Sequence, residues 1–302
     1  MTENKKQTII KNIKTNRKTN RNLNKNKIKT NQNTTIEGGR KDGAMKIDNK
    51  IALVTGAAQG IGRGIAIEYA KHGANLMITD INMEKLQEVC EEIKVLGRKC
   101  IALQGDVSKS KDVLQVVSEA IAEYGRIDIL THAAGILRSC PVIEQDEKDW
   151  DAVINVNLRS TFLYCKYVGQ QMKKQGSGKM VLIDSCASKT GEAYNAVYCA
   201  SKAGVRLLAQ SLALELAEYG INVNSIAPGT INTEMIDRCL HDRAPLFGLS
   251  YEKYLKEFNE ATPLKRMGEP EEIGKLCVFL ASEDAAFITG SSFNISGGRE
   301  NH

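Results

Sequence analysis

A glycine loop set between an apolar run and a helix-forming stretch limits what this chain can fold into more than any other feature. Ile51, Ala52, Leu53 and Val54 suit a buried strand, and Thr55-Gly56-x-x-x-Gly60-Ile61-Gly62 follows at once. Glycines at such a strand-to-helix handover let the chain turn tightly, approach a ligand and pack the helix on the sheet. The N-terminus of that helix then favours phosphate oxygens. Strands and helices alternate from there on. The patterns predict strands at Ile51–Thr55, Asn75–Thr79, Ile101–Gln104, Ile127–Thr131, Lys179–Asp184, Ile221–Ile226 and Ser292–Ile295. Between them come helices at Ile61–His72, Glu84–Leu96, a stretch capped by Ser108 and running to Tyr124, Trp150–Lys174, Tyr198–Tyr219 and one opening near Pro270. Repeated βα units of this kind specify an α/β fold with a doubly wound parallel sheet, whose ligands sit at the carboxyl ends of the strands.

Length and composition agree with one such domain. Of the 302 residues, 258 follow residue 44, enough for a single sizeable core. Hydrophobic content of 42% and charged content of 25% are ordinary for a globular protein. No apolar run approaches the ~18 residues that span a bilayer, and the N-terminus has no apolar signal core. The expected location is cytoplasmic, with no membrane partner. Eight cysteines lie scattered, without a C-x-x-C pair or adjacent histidines. That argues against a zinc site or a disulfide framework and for reduced core thiols. Cys186 and Cys199 adjoin Ser185 and Tyr198, so they are the two where a redox role is weighed against a structural one.

The net charge of +5 conceals a division. Residues 1–44 hold nine lysines and three arginines against three acids, or +9, which leaves −4 for the remainder. A mildly acidic body argues against nucleic acid as its partner. The basic segment is almost all Asn, Lys, Thr and Arg with no apolar period, and reads as a disordered extension. It carries no aromatic residue for stacking on bases.

Tyr198 and Lys202 stand four apart and share a helix face, where an ammonium can draw a phenol's pKa below its usual value of about 10. Ser185 lies thirteen residues upstream. Taken in this order, the T-G-x-x-x-G-x-G loop, the serine and Y-x-x-x-K resemble the short-chain dehydrogenase/reductase family over about Ile47 to Gly298. The resemblance implies a single Rossmann-like domain over residues 45–302, a substrate lid at 234–262, and NAD as cofactor. Gly56, Gln59, Gly60, Ile61 and Gly62 would cradle the pyrophosphate. Asp80, at the end of the second strand, would accept the adenosine ribose hydroxyls and repel a 2′-phosphate. Relatives that prefer NADP carry a basic residue where Gln59 stands. Asp106 and Val107 match the adenine pocket, and Ala134 and Gly135 the backbone beside the cofactor. Pro228 and Gly229 match a loop whose Ile231 meets the carboxamide and whose Thr233 reaches the nicotinamide half.

The same resemblance implies that Tyr198 is the general acid/base, that Lys202 holds the nicotinamide ribose, and that Ser185 polarises the carbonyl. Asn157 would hold a water joining Lys202 to solvent, and Asp128 would support the sheet. Two positions depart from the family. His132-Ala133 replaces an Asn-Asn pair, and His132 reads as a structural substitute. Asp184 replaces a serine, and would raise the phenol's pKa if it pointed inward. The implied activity is hydride transfer between NAD(H) and a secondary alcohol or ketone. Glu192, Tyr194, Asn195 and Arg138 suggest a small polar substrate such as a polyol or ketose. Tyr251, Tyr254, Leu255 and Phe258 recur at helical spacing, either over the pocket or as packing for the lid. Alternatives are a 3-oxoacyl-thioester or hydroxysteroid reductase, and, in another class, a non-catalytic dinucleotide sensor. Pairing of the Trp150–Lys174 and Tyr198–Tyr219 helices implies a homotetramer.

Overall fold

The structure, a computed structural model, describes residues 47–299; the expected extension of residues 1–44 lies outside them. In chain order the main elements are β1 (Ile51–Thr55), α1 (Gly60–Lys71), β2 (Asn75–Asp80), α2 (Met83–Val95), β3 (Cys100–Gln104), α3 (Ser110–Tyr124) and β4 (Ile129–His132). There follow α4 (Glu147–Val153), α5 (Ser160–Gln175), β5 (Gly178–Ile183), α6 (Ala196–Leu216) and β6 (Ile221–Pro228). The last are α7 (Glu234–Arg243), α8 (Tyr251–Ala261), α9 (Pro270–Ala281) and β7 (Ser292–Ile295). The seven strands form one sheet in the order β3-β2-β1-β4-β5-β6-β7, with every neighbouring pair parallel. This is the doubly wound α/β sheet that the alternation of elements predicts.

The sheet has a core on each face, as parallel sheets require. One joins Val54 and Ile78 to Ile65 of α1, Val89 of α2 and Val278 of α9. The other joins Leu53 and Leu130 to Val116 of α3, Val168 of α5 and Val205 of α6. All five residues of β1 are buried. The strand order reverses between β1 and β4, and at that point the loops after the two strands diverge and open a cleft at their carboxyl ends.

Three expectations need correction. The helix expected over Trp150–Lys174 is interrupted. Between α4 and α5 the chain makes a π-helical stretch, Ile154–Arg159, a rare form often found at functional sites. Ser108 does not cap α3, which starts after Lys109. The Asp106 carboxylate captures Ser108 instead, accepting from its backbone N at 2.9 Å and its hydroxyl at 2.7 Å; a charged acceptor two residues away outcompetes the helix end. The helix expected over Tyr198–Tyr219 begins earlier, at Ala196, and its last turn, Ala217–Tyr219, tightens to 3-10 geometry.

The segment expected to form a lid folds as two helices. Thr233 caps α7 by accepting from Ile236 N, and Ser250 caps α8 by accepting from Lys253 N. A turn of 3-10 helix, Ala244–Phe247, joins them. Leu240, Ala244 and Tyr254 form a small apolar cluster of their own, with Ile236, Leu255 and Phe258 packed on it. Tyr254 stacks on Phe247, whereas Tyr251 stacks on His241 and bonds to Asp237. The aromatic stripe therefore mostly packs this segment, and only Phe258 of the four also lines the cavity beside Ser185 and Tyr198. Among the described residues no helix is long and apolar enough to cross a membrane.

Candidate active site

Two connected hollows lie at the carboxyl ends of the strands. The larger, a cleft of about 430 Å³, is lined by Gly56, Gln59, Gly60, Ile61, Gly62, Asp80, Asp106, Val107, Ala134 and Gly135, together with Thr233. The smaller, of about 110 Å³, is lined by Ser185, Tyr198, Lys202, Pro228, Gly229 and Ile231, again with Thr233. Ile61, Ala133, Gly135, Thr233 and Met235 belong to both. All the residues assigned from sequence to a cofactor thus fall on one continuous surface.

The cleft is shaped to admit a ligand against bare backbone. Gly56 has φ of +66°, and a Cβ there would stand 2.7 Å from Ala134 Cα. A Cβ at Gly62 would overlap the Gly56 carbonyl. Side chains at these positions would force the loop from the end of β4 and push α1 from the loop, so the glycines fit a dinucleotide cradle. Gln59 precedes α1 without a side-chain cap, leaving the first N–H groups of the helix free to meet phosphate oxygens. Asp80 is fixed by Ala58 N at 3.1 Å and Asn82 N at 3.0 Å. Asp106 is occupied by Ser108 and, at 3.3 Å, by Lys109.

Tyr198 and Lys202 face the smaller cavity from α6. Lys202 Nζ lies 5.8 Å from the centre of the Tyr198 ring and donates to the Ile183 carbonyl at 2.8 Å, which ties α6 to the end of β5. Ser185 follows β5 in extended conformation, and its Oγ accepts from Ala187 N. Burial pushes the Tyr198 pKa above its usual value, opposed by a hydrogen bond with Ser185 and reinforced by the charges of Glu192, Cys239 and Asp184. The protein alone therefore does not lower the phenol as the Tyr-Lys spacing suggests; desolvation prevails. Burial brings Lys202 down to about 8, opposed by Asp184.

Asn157 lines neither hollow but fastens the site from behind. Its Oδ1 accepts from Ile136 N at 2.8 Å, and its Nδ2 donates to Ile136 O at 2.9 Å and Ser201 Oγ at 3.0 Å. Of the two departures from the family pattern, His132 is tied into the structure and Asp184 faces the site. His132, 2% exposed, bonds Thr55 Oγ1 at 2.9 Å through Nδ1 and Ser160 Oγ at 2.8 Å through Nε2. Asp184 lines the same cavity as the phenol, whose pKa its charge helps to raise, and its Oδ2 accepts from Ser225 and Ser292 hydroxyls at 3.0 Å each. Asp128 accepts from Ile51 N at 2.8 Å and from Arg126, in keeping with support of the sheet. Cys186 is buried, and its thiol donates to Ala227 O.

Of the polar residues expected around the substrate, Glu192 and Asn195 line the cavity. Arg138 and Tyr194 do not. Arg138 reaches Asp149 at 3.7 Å, and Tyr194 packs edge-on against Phe247. Sequence reasoning missed Cys239, Arg243 and Arg299, which also line it. It missed Lys85 too, whose Nζ donates to Gln59 at 2.9 Å and Glu234 at 2.8 Å. No local spacing signals that contact, since Lys85 and Glu234 are 149 residues apart.

A family model described as enoyl-(acyl carrier protein) reductase matches residues 56–300. A 3-oxoacyl-[acyl-carrier-protein] reductase of Thermotoga maritima is 37% identical over 254 residues, 84% of this chain and 99% of that protein. Actinorhodin polyketide ketoreductase, solved with NADPH, superposes with a TM-score of 0.82 at 30% identity, over 84% of this chain and 98% of its own. NAD+-bound xylitol dehydrogenase does so with a TM-score of 0.81 at 29% identity, over 84% and 100%. With its parallel sheet, glycine cradle and Ser-Tyr-Lys cavity, the chain belongs to the short-chain dehydrogenase/reductase family of oxidoreductases.

Proposed function

We propose that this protein is an NAD(H)-dependent oxidoreductase acting on a secondary alcohol or its ketone, with a small polar substrate such as a polyol or ketose. The observation that carries the reading is the junction of the two hollows, which sets Ser185, Tyr198 and Lys202 beside the glycine cradle. NAD, when bound, supplies the acceptor of the hydride in oxidation and its donor in reduction. Tyr198 takes the hydroxyl proton as the alcohol is oxidised and returns it as the ketone is reduced. Ser185 hydrogen-bonds the same substrate oxygen and steadies its developing charge. Lys202 holds positive charge behind the phenol and bonds the ribose hydroxyls. Asn157 keeps the Ile136 backbone and α6 in register. Asp80 supports NAD over NADP, because a fixed carboxylate at the end of β2 repels a 2′-phosphate. The Lys85 ammonium nearby is paired with Glu234.

Replacing Tyr198 with Phe tests the assignment. Turnover is expected to fall roughly 10²–10⁴-fold, while NADH affinity, followed by fluorescence titration, stays near that of the wild type. A variant still within about threefold of wild-type rate contradicts the role. The same assay run with NAD and NADP on the wild type and Asp80→Ala tests the cofactor: NAD is favoured, and the substitution narrows the margin. A wild type that prefers NADP overturns this. The identity to a 3-oxoacyl reductase favours a second reading, reduction of 3-oxoacyl thioesters. Efficient turnover of acetoacetyl thioesters with none on any polyol would establish it instead.

A further inference from the structure

The cavity holding Ser185 and Tyr198 is lined, besides Lys202, by two arginines, Arg243 and Arg299, and by two acids, Asp184 and Glu192. Arg243, the last residue of α7, has a side chain only 9% exposed. A guanidinium has five N–H donors and stays charged; this one is ion-paired with Glu192 and lies 5.7 Å from the centre of the Phe247 ring, but its hydrogen bonds are long. Its Nη1 reaches Glu192 Oε2, and its Nη2 the Ala193 carbonyl, each at 3.4 Å, long for hydrogen bonds. Its Nε is buried without a hydrogen-bond partner. Glu192 is held closer by another donor, Asn195 Nδ2, at 2.9 Å. Arg299 approaches from the loop after β7. Its guanidinium carbon lies 3.9 Å from the centre of the Phe258 ring, its Nη1 is 3.5 Å from Thr230 Oγ1, and it has no ion pair among the described residues. The other acid on the cavity wall, Asp184, bonds two serine hydroxyls through Oδ2, and its Oδ1 is buried without a hydrogen-bond partner among the described residues.

With only long bonds on its Nη atoms and none on its buried Nε, this guanidinium can take a further acceptor, and a carboxylate, planar and able to accept two parallel bonds, is the group that matches it. The cavity, about 110 Å³, has room for roughly four waters at about 30 Å³ each, which suits a compact acid. We propose that the substrate is a small hydroxy acid or the corresponding keto acid. Arg243 binds its carboxylate, Arg299 adds long-range attraction, and the carbinol or carbonyl carbon meets Ser185 and Tyr198. The proposal rests on the oxidoreductase reading above and narrows its substrate to an anion.

The test uses the full chain with NAD. Turnover of gluconate is compared with sorbitol, and of 3-hydroxybutyrate with its methyl ester. In at least one pair the acid is expected to have the higher kcat/KM by roughly 10–100-fold, the range of a hydrogen bond to a charged group. Arg243→Gln should raise KM for the acid by a similar factor and collapse the ratio, and Arg243→Lys should retain part of it. Calorimetry of the same acids and neutral partners on the NADH-loaded protein gives a readout that needs no turnover. Turnover of neutral alcohols equal to that of their acids overturns the carboxylate site and leaves the oxidoreductase reading intact. Arg243-dependent binding of acids without any turnover does the reverse. Equal binding of acids and neutral partners, unaffected by Arg243→Gln, also refutes the site.

Discussion

His132 occupies the end of β4, where relatives carry the first of two asparagines, and it couples β1 to α5 through both ring nitrogens. Burial, helped by the Lys202 charge, pushes its pKa down to about 3, so the ring stays neutral, with one nitrogen donating and the other accepting. Asp184 is the opposite case. Burial raises it to about 6 against the pull of the Ser225 and Ser292 hydroxyls and of Lys202 and Lys189. Its folded pKa exceeds the unfolded value of about 4. Between about pH 4 and pH 6 the folded chain therefore binds more protons than the unfolded one, and Asp184's contribution to stability falls as pH rises through that window. Asp184→Asn removes the effect. In denaturant titrations at steps from pH 4 to 7, the stability of the variant relative to wild type should climb with pH and level off above about pH 6. A difference that stays constant with pH contradicts this account. The sequence marked both residues as departures because each sits inside a recognisable motif. The roles were not legible there: the partners of Asp184 are 41 and 108 residues away, and only folding shows which way a side chain turns.

The stretch between β4 and β5 shows where sequence periodicity stops being informative. Apolar spacing supports one helix from Trp150 to Lys174, and the stretch is indeed helical almost throughout, but spacing cannot show that the ladder slips to π geometry at Ile154–Arg159. The slip places Asn157 where its amide meets the Ile136 backbone and Ser201. Family register, not periodicity, made Asn157 legible. Asn157→Ala strands several buried partners at once, and leaving a buried polar group unpaired costs about 1–3 kcal/mol. A loss of at least that size in urea denaturation is expected, along with reduced kcat. Conservative Asn157→Ser should recover part of both, and full stability and rate in Asn157→Ala would remove it from the site. The lid was legible as an interval only through the family resemblance; its caps, Thr233 and Ser250, came from the structure. Its arginine was not legible, because Arg243 ends an exposed-looking charged helix and owes its burial to the neighbouring helix and the Glu192 segment.

At the scale of the molecule, alternating strand and helix patterns made the parallel sheet legible, and the glycine loop located its ligand edge. The surfaces left over point to assembly. Phe162 on α5 is 48% exposed, and Leu207 and Leu214 on α6 are 57% and 85% exposed. Leu207 and Leu214 are two turns apart and lie on one face. Burying such a patch across a two-fold axis is favourable, and we expect a tetramer by light scattering at micromolar concentration, with Leu214→Glu shifting it to smaller species. Removal of residues 1–44 should change neither the assembly nor the rate. A wild-type monomer would refute the first expectation, and loss of assembly or activity on truncation the second. The small apolar cluster of α7 and α8 has a different consequence. It is closed on itself, apart from the two cores that hold the sheet together. Ile236, Leu240 and Phe258 of this cluster also line the cavity beside Tyr198, so substitutions there alter the cavity wall while leaving the packing of both cores in place. A lineage built on this chassis can exchange its diet while inheriting its cofactor cradle unaltered.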